Sequence, residues 1–244
     1  MSQTVERALV MLEFVAAEPR TLGQVADHLH VHKSTASRLL HTLEEQGFVR
    51  RDGNHVFRLG SRLFALAFEA LGKIDIRQVA IPHLRRLGEL TGQTIHLAAL
   101  EGNEVFYADK YQSTQSPRMY SRIGRQAPIY CTGVGKAILA FRPVSQQRTI
   151  AERVTYTPHT KRTLTTPAAL LAELERIKAR GYAYDDREHE DFVHCVAAPI
   201  TMPDGEVTAA VSIATTTMAL SRRQLLDLLP LLRQTIRDIE KDLH

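Results

Sequence analysis

One segment restricts this chain more than any other. From Thr21 to Gly60 it reads TLGQVADHLHVHKSTASRLLHTLEEQGFVRRDGNHVFRLG. Thr21 and Gln24 have the spacing at which a hydroxyl and an amide cap a helix reciprocally, so a helix starts there. Val25 and Leu29 then face inward one turn apart. His30-Val31-His32 is a turn, and Ser34 or its neighbour caps a further helix. Leu39, Leu40 and Leu43 give that helix its buried stripe, and Gly47 ends it. Phe48–Arg51, Asp52-Gly53-Asn54 and His55–Leu59 read as strand, turn and strand. Upstream, Val5, Ala8, Leu9, Leu12 and Val15 recur at helical spacing, the inner face of a first helix that Pro19 ends. Short helices about a tight turn, with a hairpin behind them, read as a winged helix-turn-helix.

The charge in this segment is a matter of placement. Residues 1–60 carry seven Lys or Arg and seven Asp or Glu, and the whole chain has a formal net charge of only +4. Yet from His28 to Leu43 there is no acid, while Lys33, Arg38 and four histidines (His28, His30, His32 and His41) are present. Lys33, Ser34, Thr35, Ser37 and Arg38 open the second helix of the pair with short or positive side chains. Short hydroxyls let a helix sit deep in the major groove, where N-terminal residues reach base edges. Arg38 suits guanine or phosphate, and Lys33 at the helix start suits phosphate. Arg50, Arg51 and His55 follow on the hairpin, placed for the backbone or minor groove. The partner these residues imply is double-stranded DNA.

At 244 residues and 44% hydrophobic content the chain can build a sizeable core in one large or two modest domains. No run approaches the roughly 18 apolar residues of a membrane helix, and the start MSQTVERALVMLEF lacks a basic-then-apolar signal pattern. The expectation is a cytoplasmic protein with no membrane contact. Cys131 and Cys195 form no CxxC and no zinc-finger pair, so buried reduced thiols are expected, with pocket lining as the alternative.

Beyond Gly60 the pattern is mixed. Ser61 to Leu71 is a helix whose apolar face, Leu63, Leu66, Ala67 and Ala70, suits a dimer contact and packing onto its own domain equally. From Ile76, helices and strands mix: a helix over Val79–Thr91, strands over Thr94–Leu100 and Val105–Tyr111, and a helix after Gly133. A longer helix is capped by Thr166, opened by Pro167 and ended by Gly181. Val193–Ile200 and Val207–Ala214 are strands. In the second, Val207, Ala209, Val211 and Ile213 face a core, while Thr208, Ala210, Ser212 and Ala214 form a small, partly polar floor of the sort a pocket needs. Asp185, Asp186 and Glu188 fall on a loop feeding the first of these strands. Ser221 and Gln224 cap a final helix that Pro230 should kink.

Cys131-Thr132-Gly133-Val134-Gly135-Lys136 leads into a helix whose free N–H groups attract a carboxylate. It is not a nucleotide-binding P-loop, because Tyr130 stands where glycine is required and Ala137 is neither Ser nor Thr. A small acid fits better than a nucleotide, with a tight turn packing the helix as the plainer alternative. No Ser/His/Asp or Cys/His order marks catalysis, so no catalytic residue and no cofactor are assigned, and the pocket reads as a sensor. His96, His189 and His194 with either cysteine are a loose metal pattern, and separate hydrogen-bonded histidines fit better, so no metal ligand is assigned.

QTVERALVML, KSTASRLLHTLEEQGFV, FRLGSRL, TGQTIHLAALEGNEVFYADK, MYSRIGRQAPIYCTGVGKAILA, RGYAYDDREHEDFVHCVAAPI and AAVSIA together resemble the IclR family of bacterial transcriptional regulators over essentially the whole chain. The resemblance implies an α+β protein: an N-terminal winged helix-turn-helix (residues 1–60), a linker helix (61–75) and a C-terminal GAF-like α/β effector-binding domain (76–244). It implies homodimers or homotetramers on near-palindromic operator DNA. It carries effector contacts onto Gly133, Val134, Asp185, Cys195 and Ser212, and puts Tyr120 to Gly124 near the pocket mouth, with Arg122 or Arg125 to neutralise a carboxylate. MYSRIGRQAPIY and TIHL look most like the sugar-acid-responsive branch, which includes repressors sensing 2-keto-3-deoxygluconate. The implied function is a repressor released or re-oriented by a small organic acid. Two readings remain beside it: an enzyme of small acids with a helical module, and a thiol or metal sensor. Two departures stand out. Phe192 and His194 occupy positions where the family commonly has Gly and Arg, and Ala214-Thr215-Thr216-Thr217 lacks the usual Gly-Pro.

Overall fold

A computed structural model describes residues 3–53, 55–72, 75–113, 119 and 121–243. Asn54 of the hairpin turn and Tyr120 of the pocket mouth lie outside the described residues, as does the side chain of Ala70. The chain divides into two compact units, Met1–Lys73 and Ile74–His244.

In the first unit α1 (Gln3–Ala17), α2 (Leu22–His28) and α3 (Lys33–Glu45) enclose Met11, Val15, Val25, Ala26, Ala36 and Leu40. Val49 and Phe57 close that core from the hairpin of β2 (Val49–Arg51) and β3 (Val56–Leu59). Thr21 and Gln24 do form the reciprocal capping box. The first-helix stripe is displaced from its expected position. Met11 and Val15 are buried, with Leu12 and Phe14 beside them, whereas Val5 and Leu9 are each 58% exposed. The helix is apolar on two sides, and the side carrying Phe14 was taken up by the core. A strand escaped the sequence reading as well. Arg20–Thr21 (β1) pairs antiparallel with β3, making a three-stranded sheet in the order β1-β3-β2. Two residues show no alternation, so pattern alone cannot find such a strand. The helix α4 (Ser61–Gly72) belongs to this unit. Its Leu66 and Ala67 are exposed, as is Phe64, so that face does not pack on its own unit.

The second unit is a five-stranded antiparallel sheet in the order β5-β4-β8-β7-β6 with helices on both faces. Its strands are β4 (Thr94–Glu101), β5 (Glu104–Tyr111), β6 (Ala183–Asp186), β7 (Val193–Thr201) and β8 (Val207–Thr216). One face packs on α5 (Asp75–Thr91) and, at the C-terminus, α10 (Leu229–Asp242), through Leu84, Leu87, Val211, Ile213, Leu232 and Ile236. The other packs on α6 (Gly133–Ala140) and α8 (Pro167–Arg180), with α7 (Val144–Arg153) outside them. The alternation read in β8 is present: Val211 and Ile213 join the first core, while Ser212 and Ala214 face the α6 side.

Three expectations need correction here. Pro230 does not kink a single last helix. It stands in the first turn of α10, after the short helix α9 (Arg222–Leu226) has already ended, because a proline ring is tolerated at a helix start but not in its interior. Asp185 and Asp186 are not on a loop but at the end of β6, opposite Cys195 and His194 of β7. The helix expected from Val79 starts at Asp75 and carries Pro82 inside it.

Candidate functional site

The first candidate surface is the start of α3. Lys33, Ser34, Ser37 and Arg38 are all exposed, while Ala36 and Leu40 on the opposite side are buried. Thr35 is half-buried at the border of the two faces. The cap is neither Ser34 nor another hydroxyl but His32, whose Nδ1 accepts from the Ser34 N–H at 3.3 Å and lies 2.9 Å from the Ser34 Oγ. On the wing, Arg50, Arg51 and His55 are exposed. Arg58 is tied to Asp52 at 3.1 Å, which leaves Arg50 and Arg51 as the outward charges of the hairpin. The balanced total charge therefore resolves into one face carrying cations and hydroxyls, as phosphate contact requires.

The second candidate is a narrow cleft against the N-terminus of α6, with about 30 Å³ of space that a water molecule can enter. Its floor is β8 and β7, through Ser212, Ala214, Val193 and Cys195. Asp185 of β6 stands on one side and His96 of β4 on the other. Thr132 caps α6: its Oγ1 accepts from the Gly135 N–H at 3.2 Å and donates to the Pro128 carbonyl at 2.8 Å. The Gly133 N–H donates to the Cys195 sulfur, so Val134 carries the first-turn N–H left for a ligand. Gly133 admits no side chain, since a Cβ there would stand 2.5 Å from the Cys195 Sγ and 3.3 Å from the Ala197 Cβ. Gly135 is held the same way, 2.7 Å from the Ile129 Cα. The glycines thus serve both readings of the motif, close packing of helix on sheet and backbone access.

Burial dominates the electrostatics of the cleft. Asp185 is 4% exposed; desolvation pushes its carboxyl up to about 7, opposed by Lys136 and reinforced by Glu188. The Glu188 N–H donates to its Oδ1 at 2.8 Å. Behind Asp185 lies an ion pair that the sequence did not reveal. Lys136, 0% exposed in the middle of α6, pairs with Glu188 and donates to the Tyr184 carbonyl at 3.1 Å. His96 is pushed down to about 3 by burial and by Lys110, and is therefore neutral. Its Nε2 lies 2.7 Å from the Ser121 Oγ and its Nδ1 3.4 Å from the Ser212 Oγ. One nitrogen donates and the other accepts, so the imidazole fixes the two hydroxyls at the rim and on the floor. His189 is pushed down to about 4 by burial, then by His159 and Arg125. Glu190 is pushed up by burial, against the pull of Lys110 and Arg125, and its Oε2 is buried with no hydrogen-bond donor among the described residues. An acceptor left so costs about 1–3 kcal/mol.

Of the residues that the family pattern indicated, Gly133, Val134, Asp185, Cys195 and Ser212 all line this one cleft. Arg122 does not: it is exposed in a turn whose carbonyl accepts from the Arg125 N–H, and no Lys or Arg is among the described lining residues. Ser121 is the member of that loop that reaches the cleft. The two unusual residues of β7 also separate. Phe192 is 46% exposed and does not line the cleft, while His194 points to the opposite face of the sheet from Cys195, 3.0 Å from the Tyr184 hydroxyl. His96, His189 and His194 are accordingly not gathered, and Cys131 is buried in the core between helices and sheet. Burial pushes both thiols up, which keeps them protonated and unreactive. Sequence reading missed Tyr107, Glu190 and His96 as residues that line the cleft. For His96 a signal existed, since register pairs it with Ser212 across β4 and β8, but it needed the strand order.

Residues 4–53 match the IclR helix-turn-helix domain, and residues 68–241 match the C-terminal domain of the bacterial transcriptional regulator IclR. The chain is 36% identical to the HTH-type transcriptional regulator KdgR of Escherichia coli (strain K12), over 91% of this chain and 86% of that protein. It is also 36% identical to the HTH-type transcriptional regulator XynR of the same organism, over 88% and 86%. Among solved structures it resembles the IclR of Thermotoga maritima, with a TM-score of 0.85 at 31% identity, covering 100% of this chain and 99% of that one.

Proposed function

The chain belongs to the IclR family of bacterial transcriptional regulators, and from that premise we propose that it represses genes of carbohydrate or sugar-acid breakdown until a small organic acid enters the cleft at α6. It is a regulator, not an enzyme. The observation that carries the effector reading is the cleft itself. A helix N-terminus, a neutral histidine holding two hydroxyls and a buried carboxyl converge there. Such a site can bind and orient a small acid. Residues 1–60 read double-stranded operator DNA, with Lys33, Ser34, Thr35, Ser37 and Arg38 in the major groove and Arg50, Arg51 and His55 on the backbone. Residues 61–75 link this module to residues 76–244, which bind effector through Gly133, Val134, Asp185, Cys195 and Ser212. The likeness to KdgR supports a sugar acid as effector.

Near-palindromic operators need two copies of the module about 34 Å apart, hence a homodimer or homotetramer. The uncovered Val5 and Leu9 on α1, with Phe64 and Leu66 on α4, are the apolar surface available for pairing. Work on operator DNA places the protein in the cytoplasm. No helix among the described residues is long and apolar enough to cross a membrane. Ligand shifts the DNA-bound population only by its differential affinity for the two states. The test is a thermal-shift screen of sugar acids and keto acids on the full chain, followed by DNA-binding assays with each hit. Stabilisation together with a changed operator affinity is expected. Stabilisation without any effect on DNA binding would sink the reading.

A further inference from the structure

Glu190 is the one cleft carboxylate that the family pattern leaves without a role. It follows the β6 end at Asp186 by a short turn, lines the cleft beside His189 and Val193, and is 17% exposed at its side chain. Its Oε1 lies 3.9 Å from the His189 Nδ1, outside hydrogen-bond distance, and its Oε2 is sealed from water without a donor among the described residues. Native folds rarely leave a buried acceptor so, and where they do a ligand or an ordered group commonly supplies the donor.

We infer that Glu190 is a specificity-determining residue that accepts a hydrogen bond from a hydroxyl of the effector, so that the cleft selects polyhydroxylated carboxylic acids over unhydroxylated acids of the same length. This rests on the effector reading of the cleft. The ligand carboxylate and the ligand hydroxyls have separate places in it. The Val134 N–H at the α6 start offers a donor, as does whichever of the Ser212 and Ser121 hydroxyls accepts from the His96 N–H and so keeps its own proton free. Asp185 and Glu190 offer acceptors on the β6 side. An acid with no hydroxyl satisfies the donors and leaves the Glu190 Oε2 buried and unpaired, which is the condition under which a polar site rejects an analogue. An ammonium would also donate to Glu190. Lys110, paired with His96 across β4 and β5, and Arg125 both act on Glu190, and a second cation there meets their repulsion.

The test is calorimetric titration of the full chain with D-gluconate and 2-keto-3-deoxygluconate, against hexanoate, 2-ketohexanoate and 6-aminohexanoate. In wild-type protein at least one of the two hydroxylated acids should bind at least tenfold more tightly than the three acids lacking hydroxyls. Glu190→Leu should cut that preference about tenfold or more, as loss of a charge-assisted hydrogen bond does. Glu190→Gln keeps an acceptor oxygen and the shape of the wall, so it should retain most of the preference; it also guards against a leucine variant that fails to fold. A preference unchanged in Glu190→Leu overturns the inference, as does tighter binding of 6-aminohexanoate or no wild-type preference among the five probes. Failure of the two readings is distinguishable. If the unhydroxylated acids stabilise the protein and Ser212→Ala removes most of that stabilisation, the cleft is an effector site and only the role of Glu190 falls. If no acid binds at all, both fall.

Discussion

Two helix starts do the work in this chain, and they differ mainly in their solvent. The first turn of α3 is capped by His32 and presents Lys33, Ser34, Ser37 and Arg38 to water. The first turn of α6 is capped by Thr132, and every residue of that helix from Gly133 to Ala140 is buried. Both offer oriented N–H groups to an anion. At α3 the attraction acts through water on a polymer of phosphates and is screened by salt. At α6 the charges are desolvated, the carboxyls of Asp185 and Glu190 are pushed up, and His96 is pushed neutral, so recognition passes to individual hydrogen bonds. An exposed terminus thus suits a long partner whose sequence is read by a few contacts. A buried one suits a small partner whose functional groups are matched one by one.

The largest effect that separates the two termini lies beneath α6. Lys136→Met removes the cation paired with Glu188 and leaves two acidic groups buried beside each other. Breaking a buried pair in this way costs about 3–5 kcal/mol. Urea unfolding of the full chain followed by circular dichroism should show an early transition for residues 74–244. The double variant Lys136→Met with Glu188→Leu removes both charges and should recover much of that loss. Equal midpoints for Lys136→Met and wild type would mean that the pair is not paired in solution. No single substitution of an exposed cation on α3 should destabilise the fold comparably, since Lys33 and Arg38 stand in water.

On α3 the expected loss is in binding. Arg38→Ala should weaken specific operator binding by about 1–3 kcal/mol where the guanidinium reads a base edge. Filter binding on operator and on random DNA, at two salt concentrations, separates the two roles. An equal loss on both DNAs, with a shallower salt slope, assigns Arg38 to phosphate.

The difference between the termini also decides what could be read from sequence. The module around α3 was legible almost residue by residue, because it is made of local signals: the Thr21–Gln24 box, the leucine stripe and the hairpin turn. Its misreadings were local as well. His32 took the cap that Ser34 was expected to supply, since a neutral imidazole nitrogen accepts as a hydroxyl does, and Val5 and Leu9 were traded for Met11 and Phe14. In the cleft, Gly133, Asp185, Cys195 and Ser212 could be named from family resemblance, but their assembly depends on the strand order β5-β4-β8-β7-β6. The Lys136–Glu188 pair spans two elements distant in sequence, and a lysine in GVGKAILA carries no mark of burial. Arg122 was named because a carboxylate calls for a cation, whereas no Lys or Arg is among the described residues that line the cleft.

A smaller effect distinguishes the termini by pH. The Asp185 carboxyl, raised to about 7, is partly protonated in the free cleft near neutrality. An incoming carboxylate raises it further, so the ligand-bound state takes up protons. Affinity for an organic acid should be highest below pH 7 and fall as pH rises through it, by at most about tenfold per unit. Glu188 and Glu190 carry the same sign; Lys136 opposes the shifts of Asp185 and Glu188, and Lys110 and Arg125 that of Glu190. Calorimetry in two buffers of different ionisation enthalpy between pH 6 and 8 reads the proton uptake directly. An affinity that rises with pH contradicts the burial of Asp185.

The smallest effect concerns the caps themselves. At α3 the His32 Nδ1 satisfies one exposed N–H, and replacing such a cap by alanine costs about 1 kcal/mol. His32→Asn supplies another acceptor and should keep both stability and operator affinity, while His32→Ala should lose a little of each, read by thermal denaturation and by DNA binding. At α6 the Thr132 Oγ1 makes two buried bonds, to the Gly135 N–H and the Pro128 carbonyl, so Thr132→Ala should cost more than His32→Ala.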